Sequence, residues 1–144
     1  MDGGSRSHLR GAWRLIAVDT NLLVYAHRAD SPWHGKALRA LTDLAEGSGR
    51  WAIPWPCVHE FIAVVTHPRI YRPPTPLSTA IDAIHAWTDS PMLTFLSEPE
   101  EYLGVLRDVA VKAQVEGAMV HDARIAALCI SHGVKELWSA DRDF

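Results

Sequence analysis

A chain of 144 residues, 48% hydrophobic and 22% charged, with nine glycines and nine prolines, has the make-up of one compact domain and excludes a disordered or fibrous protein. Fourteen lysines and arginines against 17 acids leave a formal charge of -3. No general basic field is therefore present to hold nucleic acid, and any such binding must be local or metal-assisted.

Residues 1–14 are polar, carry Arg6, Arg10 and Arg14, and contain no apolar run of the kind a signal peptide needs. They read as a flexible arm ahead of a domain over 15–144. The apolar stretch over 15–25 is cut by Asp19-Thr20-Asn21 and is too short to span a bilayer, so the expected compartment is the cytoplasm. Cys57 and Cys129 match no disulfide framework or structural zinc pattern and read as buried thiols of a reducing environment.

Residues 15–18, apolar and then stopped by polar side chains, suit a strand buried on both faces, with Asp19 at its carboxyl end. Ser31-Pro32 reads as a helix start, and Trp33, Ala37, Leu38, Leu41, Leu44 and Ala45 follow at helical spacing up to Gly47. Residues 51–53 form a brief second strand. After Pro54 and Pro56, a helical stripe of Cys57, Val58, Phe61, Ile62 and Val65 carries Glu60 on its flank, and His67-Pro68 ends it. Residues 69–76 make a proline-rich, exposed loop with two arginines and a tyrosine. Leu77, Ala80, Ile81, Ile84 and Trp87 predict a third helix, 92–96 a strand, and the acidic run over 98–101 the opening of a further helix. Residues 118–131 predict a buried helix stopped at Gly133, and 136–140 a last strand. Strands alternating with helices imply a parallel α/β sheet covered on both faces.

Four acids interrupt segments that otherwise read as core: Asp19, Glu60, Asp122 and Asp141. Asp19 and Asp141 each follow an apolar strand and should emerge on the carboxyl rim of the sheet, where open α/β folds place their ligands. Asp122 sits in the first turn of a helix whose inward stripe is Ile125, Ala126 and Cys129, so it should lean toward the core edge. Singly, each has an ordinary reading: Asp122 as a helix-dipole partner, Glu60 as a surface residue, Asp19 and Asp141 as turn formers. Together on one rim they would repel one another and raise their pKa values unless a cation neutralised them. An all-carboxylate set suits the hard ions Mg2+ and Mn2+ rather than zinc. His59-Glu60 does not begin a zinc-protease motif, because position 63 is Ala.

The segments Val18-Asp19-Thr20-Asn21-Leu22-Leu23, Glu60, His121-Asp122-Ala123-Arg124 and Ser139-Ala140-Asp141-Arg142-Asp143-Phe144, in this order, resemble the acidic motifs of PIN-domain ribonucleases, and in length and spacing the VapC-type toxins of toxin-antitoxin pairs. The resemblance implies a three-layer α/β fold with a central parallel β-sheet flanked by helices, and metal-dependent cleavage of RNA. Carried over by motif, Asp19, Glu60, Asp122 and Asp141 are catalytic metal-site acids, Asp143 is a further candidate ligand, and Thr20, Asn21 and Ser139 orient the acids or the attacking water. It also implies a cognate VapB-type antitoxin and a homodimer. The chain stops sooner after its last acidic motif, and begins with a longer arm, than is usual for VapC-like sequences.

Cations polarising the scissile phosphate and activating water imply 5'-phosphate and 3'-hydroxyl ends. Arg69, Arg72, Arg124 and Arg142 are candidate phosphate contacts. Of six tryptophans, Trp33 and Trp87 fall on core stripes and Trp138 in the last strand, while Trp51 and Trp55 flank the second strand near Glu60, where packing is preferred over base stacking. His59 and His121 adjoin acids without being assigned as ligands. Two other classes compete. A non-catalytic RNA- or protein-binding module on the same scaffold would have lost acids that are present here. A phosphatase of the haloacid dehalogenase type would need Asp and Thr where the chain has Asn21 and Leu23.

Overall fold

The computed structural model describes residues 14–140. Asp141, Arg142, Asp143 and all of the proposed arm except Arg14 lie outside the described residues. Four strands, β1 (Ile16–Val18), β2 (Trp51–Pro54), β3 (Leu93–Leu96) and β4 (Glu136–Trp138), form one parallel sheet in the order β3-β2-β1-β4. Among the described residues six helices lie in pairs between them: α1 (Thr20–His27), α2 (His34–Glu46), α3 (Trp55–Val65), α4 (Leu77–Trp87), α5 (Tyr102–Ala113) and α6 (Met119–Ser131).

The connections from β1 to β2 to β3 step in one direction across the sheet, and the last connection crosses back to place β4 on the far side of β1. Right-handed crossovers then require α1 to α4 on one face and α5 and α6 on the other, giving the three layers. Accordingly α1 packs on α2 and α3, α3 on α4, and α5 on α6. The reversal between β1 and β4 is the switch point at which the carboxyl ends of a parallel sheet open a crevice.

The inner strands are short and apolar because both faces are covered. All four residues of β2 are buried, as are Ala17 and Val18 of β1. Trp51, wholly buried, donates its indole N–H to Ser90 Oγ at 2.9 Å, so it packs the core and does not reach a substrate. Leu22, Leu23, Leu41, Phe61 and Val65 fill the layer between the sheet and the first four helices, and Leu15, Ala52 and Leu96 form a second cluster with Val134 against them.

The expected elements are present, with differences. The helix α1 is additional: its eight residues offer little periodicity, and the apolar run Leu22, Leu23, Val24 reads equally as strand continuation. The last strand ends at Trp138 rather than 140, because Asn21 captures the backbone there and Ala140 already begins a helical turn. The sixth helix starts exposed, from Met119 to Asp122, and is buried only from Ala123 onward. Trp33 is exposed rather than on the core stripe, since helix α2 begins after it, whereas Trp87 meets Phe61 edge-on at 4.9 Å. Both cysteines are free and buried. Among the described residues no helix is long and apolar enough to cross a membrane.

Candidate active site

The register of β1 against β4 pairs Val18 with Trp138, so Asp19 and Ser139 leave the sheet side by side. The Asp19 N–H donates to Trp138 O at 2.9 Å, the last rung of that pairing. Asp19 is also the N-cap of α1, its carboxylate accepting from the Thr20 N–H at 2.8 Å. A single residue thus ends a strand, starts a helix and presents a carboxylate at the switch point.

The next two residues brace the site. Thr20 is buried and donates its hydroxyl to Glu60 Oε1 at 2.7 Å, tying α1 to α3. Asn21 holds the end of β4: its Nδ2 donates to Ser139 Oγ at 3.2 Å, and its Oδ1 accepts from the Ala140 N–H at 3.1 Å. Asp141 follows directly in sequence but lies outside the described residues, as does Asp143.

Asp19, Glu60 and Asp122 all line one cleft of about 380 Å³, together with Thr20, Asn21, Val24, Tyr25, Val64, Ile70 and Tyr71. Asp122 reaches it from the exposed first turn of α6, and Glu60 from the exposed flank of α3. Burial pushes the Asp19 carboxyl above its usual range, and the charges of Glu60 and Asp122 push it further in the same direction; the Thr20 N–H and the Cys57 thiol oppose them. The cleft therefore holds negative charge that no described cation offsets.

All the donors facing the cleft are oxygen. The nearby Cys57 thiol, 3.8 Å from Asp19 Oδ1, is pushed up to about 12, chiefly by burial, so it is a neutral hydrogen-bond donor. Among the described residues no three Asp, Glu, His or Cys side chains close round a common point to form a complete metal cage. Mg2+ needs no such cage: it keeps several waters and is held by one or two carboxylates, so the donor chemistry fits a hard, hydrated cation.

Of the candidate arginines, Arg124 pairs with Glu98 at 3.3 Å. Arg69 and Arg72 are exposed and flank Ile70 and Tyr71, the two loop residues that line the cleft. Arg142 lies outside the described residues. Trp55 stacks on Phe95 at 4.6 Å and is not part of the cleft, and neither histidine next to an acid lines it. The aromatic residues that do line it, Tyr25 and Tyr71, were missed in the sequence. For Tyr25 the signal exists once α1 is known: Asn21, Val24 and Tyr25 recur at helical spacing, as Glu60 and Val64 do on α3.

A PIN domain family model matches residues 16–144. The chain is 33% identical to Ribonuclease VapC48 of Mycobacterium tuberculosis over 126 residues, 88% of this chain and 87% of that relative. It is 33% identical to Ribonuclease VapC43 of the same organism over 130 residues, 90% and 88% of the two chains. In fold it is similar to the crystal structure of Mycobacterium tuberculosis VapC20, described as a sarcin-ricin loop cleaving toxin, with a TM-score of 0.64 at 18% identity over 89% of this chain and 91% of that one. A similar match is to VapBC2 from Rickettsia felis bound to a DNA fragment from its promoter, with a TM-score of 0.63 at 14% identity and 89% coverage of both chains. With the match spanning the whole described sheet and its acidic rim, the chain belongs to the PIN-domain family, among its VapC ribonucleases.

Proposed function

We propose that the acidic cleft is where this VapC ribonuclease, an endoribonuclease of the toxin class, hydrolyses RNA phosphodiester bonds with a divalent cation, Mg2+ or Mn2+. The observation that carries the reading is the meeting of Asp19, Glu60 and Asp122 from three separate elements on one cleft at the switch point of the sheet. Asp19, Glu60 and Asp122, with Asp141 and Asp143 of the last motif, are the residues to hold the cation. When bound, it polarises the scissile phosphate and lowers the pKa of water for in-line attack, leaving 5'-phosphate and 3'-hydroxyl ends.

The chain's own contribution is to hold that set ready. Thr20 orients Glu60 through its hydroxyl, and Asn21 and Ser139 keep the end of β4 beside Asp19. Burial and the neighbouring charges of Glu60 and Asp122 disfavour the Asp19 carboxylate, and a cation held beside it would offset both. Arg69 and Arg72 are placed to meet phosphates flanking the cleft, with Arg142 a further candidate. Arg124 is available only by leaving Glu98.

The working unit is residues 15–144, with residues 1–14 as an arm, acting in the cytoplasm as a homodimer and inhibited by a VapB-type antitoxin. The likeness in fold to VapBC2 of Rickettsia felis supports a protein partner of that class.

Titration of Mn2+ while following the melting temperature tests the metal site without knowledge of the RNA, because a cation that binds only the folded site must stabilise it by mass action. A rise in the wild type that is lost in Asp122→Asn is expected. No rise in the wild type would favour a binding module on the same scaffold.

A further inference from the structure

The acids occupy only part of the cleft. The rest is lined by Tyr25, Tyr71, Ile70, Val64 and Val24, an apolar and aromatic wall beside the carboxylates. Metal chemistry on a phosphate has no use for such a wall.

The Tyr71 ring is fixed in place. The Arg28 guanidinium lies over it, 4.4 Å from the ring centroid. That guanidinium is itself held on its other atoms: Nε and Nη2 donate to the two carboxylate oxygens of Asp30 at 3.0 and 2.7 Å, and Nη1 donates to Thr75 Oγ1 at 3.1 Å. Thr75 is buried and anchored in turn, its N–H donating to Val65 O at 2.8 Å and its hydroxyl 3.1 Å from His27 Nε2. Arg28, Asp30, Thr75 and His27 line a separate hollow, which Tyr71 does not line, while Tyr71 lines the acidic cleft, which Arg28 does not. The guanidinium thus backs the ring from the neighbouring hollow, and the ring itself borders the cleft.

We propose that the Tyr71 ring, backed by Arg28, is a stacking platform for one unpaired nucleobase of the RNA strand whose phosphate sits at Asp19, Glu60 and Asp122. The inference rests on the proposed cleavage site and adds what that site selects: a nucleotide splayed out of a helix, in a single-stranded stretch or loop. A cleft of about 380 Å³ is of the size that holds one small organic ligand, which suits a single nucleotide rather than a paired stem. Base–aromatic stacking is sequence-tolerant because every base has a π-face, so Tyr71 gives affinity and register for an unstacked base while other contacts choose its identity. The guanidinium contributes twice, by fixing the ring and by placing a cation behind it. Tyr71 acts on substrate position and takes no part in proton transfer.

Nucleoside 5'-monophosphates are product-like probes that need no knowledge of the natural RNA, and ribose 5-phosphate is the same probe without its base. Dissociation constants for both, measured by ligand-observed NMR with Mg2+ present, are to be compared in the wild type, Tyr71→Leu and Tyr71→Phe. At least one of AMP, GMP, CMP and UMP is expected to bind the wild type about tenfold more tightly than ribose 5-phosphate. Tyr71→Leu should abolish that advantage and Tyr71→Phe should keep it, with ribose 5-phosphate binding unchanged in both. Equal binding of all four nucleotides and ribose 5-phosphate by the wild type, or no binding of any, overturns the platform, and this comparison needs no variant to fold. A base advantage that survives Tyr71→Leu also overturns it. The Mn2+-dependent rise in melting temperature reports the metal site separately: its presence without a base advantage sinks only the platform, and its absence sinks only the metal site.

Discussion

The Thr20 hydroxyl and the Glu60 carboxylate stand 2.7 Å apart although forty positions separate them in the chain, and this bond ties a cleft-lining acid of α3 to the rim of β1. Thr20 is buried, so its hydroxyl must be satisfied, and the Glu60 carboxylate accepts from it.

Replacing Thr20 by Val keeps the shape and removes the bond. A hydrogen bond to a charged group contributes about 1.5–3 kcal/mol, less where the acceptor is exposed, as Glu60 is, so a loss of about 1 kcal/mol is expected in denaturant unfolding. RNA cleavage should fall by about tenfold, because Glu60 is then free to turn away. Unchanged cleavage would mean that Glu60 needs no orientation.

Asn21 links the rim of β1 to the end of β4 through Ser139 and the Ala140 N–H. Asn21→Ala should leave the sheet intact but free that end. Amide exchange at Ala140 should accelerate by at least tenfold relative to Trp51, and cleavage should drop with it. Protection at Ala140 equal to that of the wild type would show that another contact holds the strand end.

The thiols of Cys57 and Cys129 are pushed up to about 12 and about 11, chiefly by burial. Both should resist iodoacetamide at pH 8 in the native protein and react fully in denaturant. Rapid alkylation of the native protein would contradict the packing of α3 and α6 against β2.

Burial lowers the pKa of His27, and the neighbouring Arg28 and His34 lower it further. The unfolded chain then binds more protons than the native one just below pH 6.5, so the stability that neutral His27 allows is present above that pH. It is lost as pH falls through 6.5 toward the lower native pKa, below which the loss is complete. The melting temperature should decline from pH 7 to pH 5 less steeply in His27→Gln than in the wild type. Parallel declines would assign the acid sensitivity to other groups.

Much of this arrangement was legible from residue order. Short apolar strands, the first ending at Asp19, pointed to a parallel sheet with acids on its carboxyl rim, and the spacing of Cys57, Phe61 and Val65 placed Glu60 on a helix flank. Asp122 was expected to face the core edge, and it reaches the cleft from an exposed turn. Less was legible where contacts are long-range. The helix α1 is too short to show a period, so Tyr25 went unrecognised. Tyr71 sits in a proline-rich loop whose position depends on Arg28 and Thr75, which no local pattern reports. Of the tryptophans, Trp51 is wholly buried, in keeping with the packing role preferred for it, while Trp33, expected in the core, is exposed.

The most direct measurement is Mg2+-dependent cleavage of total bacterial RNA by the purified protein, with the new 5' ends mapped by a ligation that requires a 5'-phosphate, in the wild type, Asp19→Asn and Asp122→Asn. Discrete ligatable ends from the wild type, abolished by EDTA and by either folded variant, are the expected result. Full cleavage by both variants, or ends carrying a 2',3'-cyclic phosphate, would contradict a metal-activated water acting at this acidic cleft.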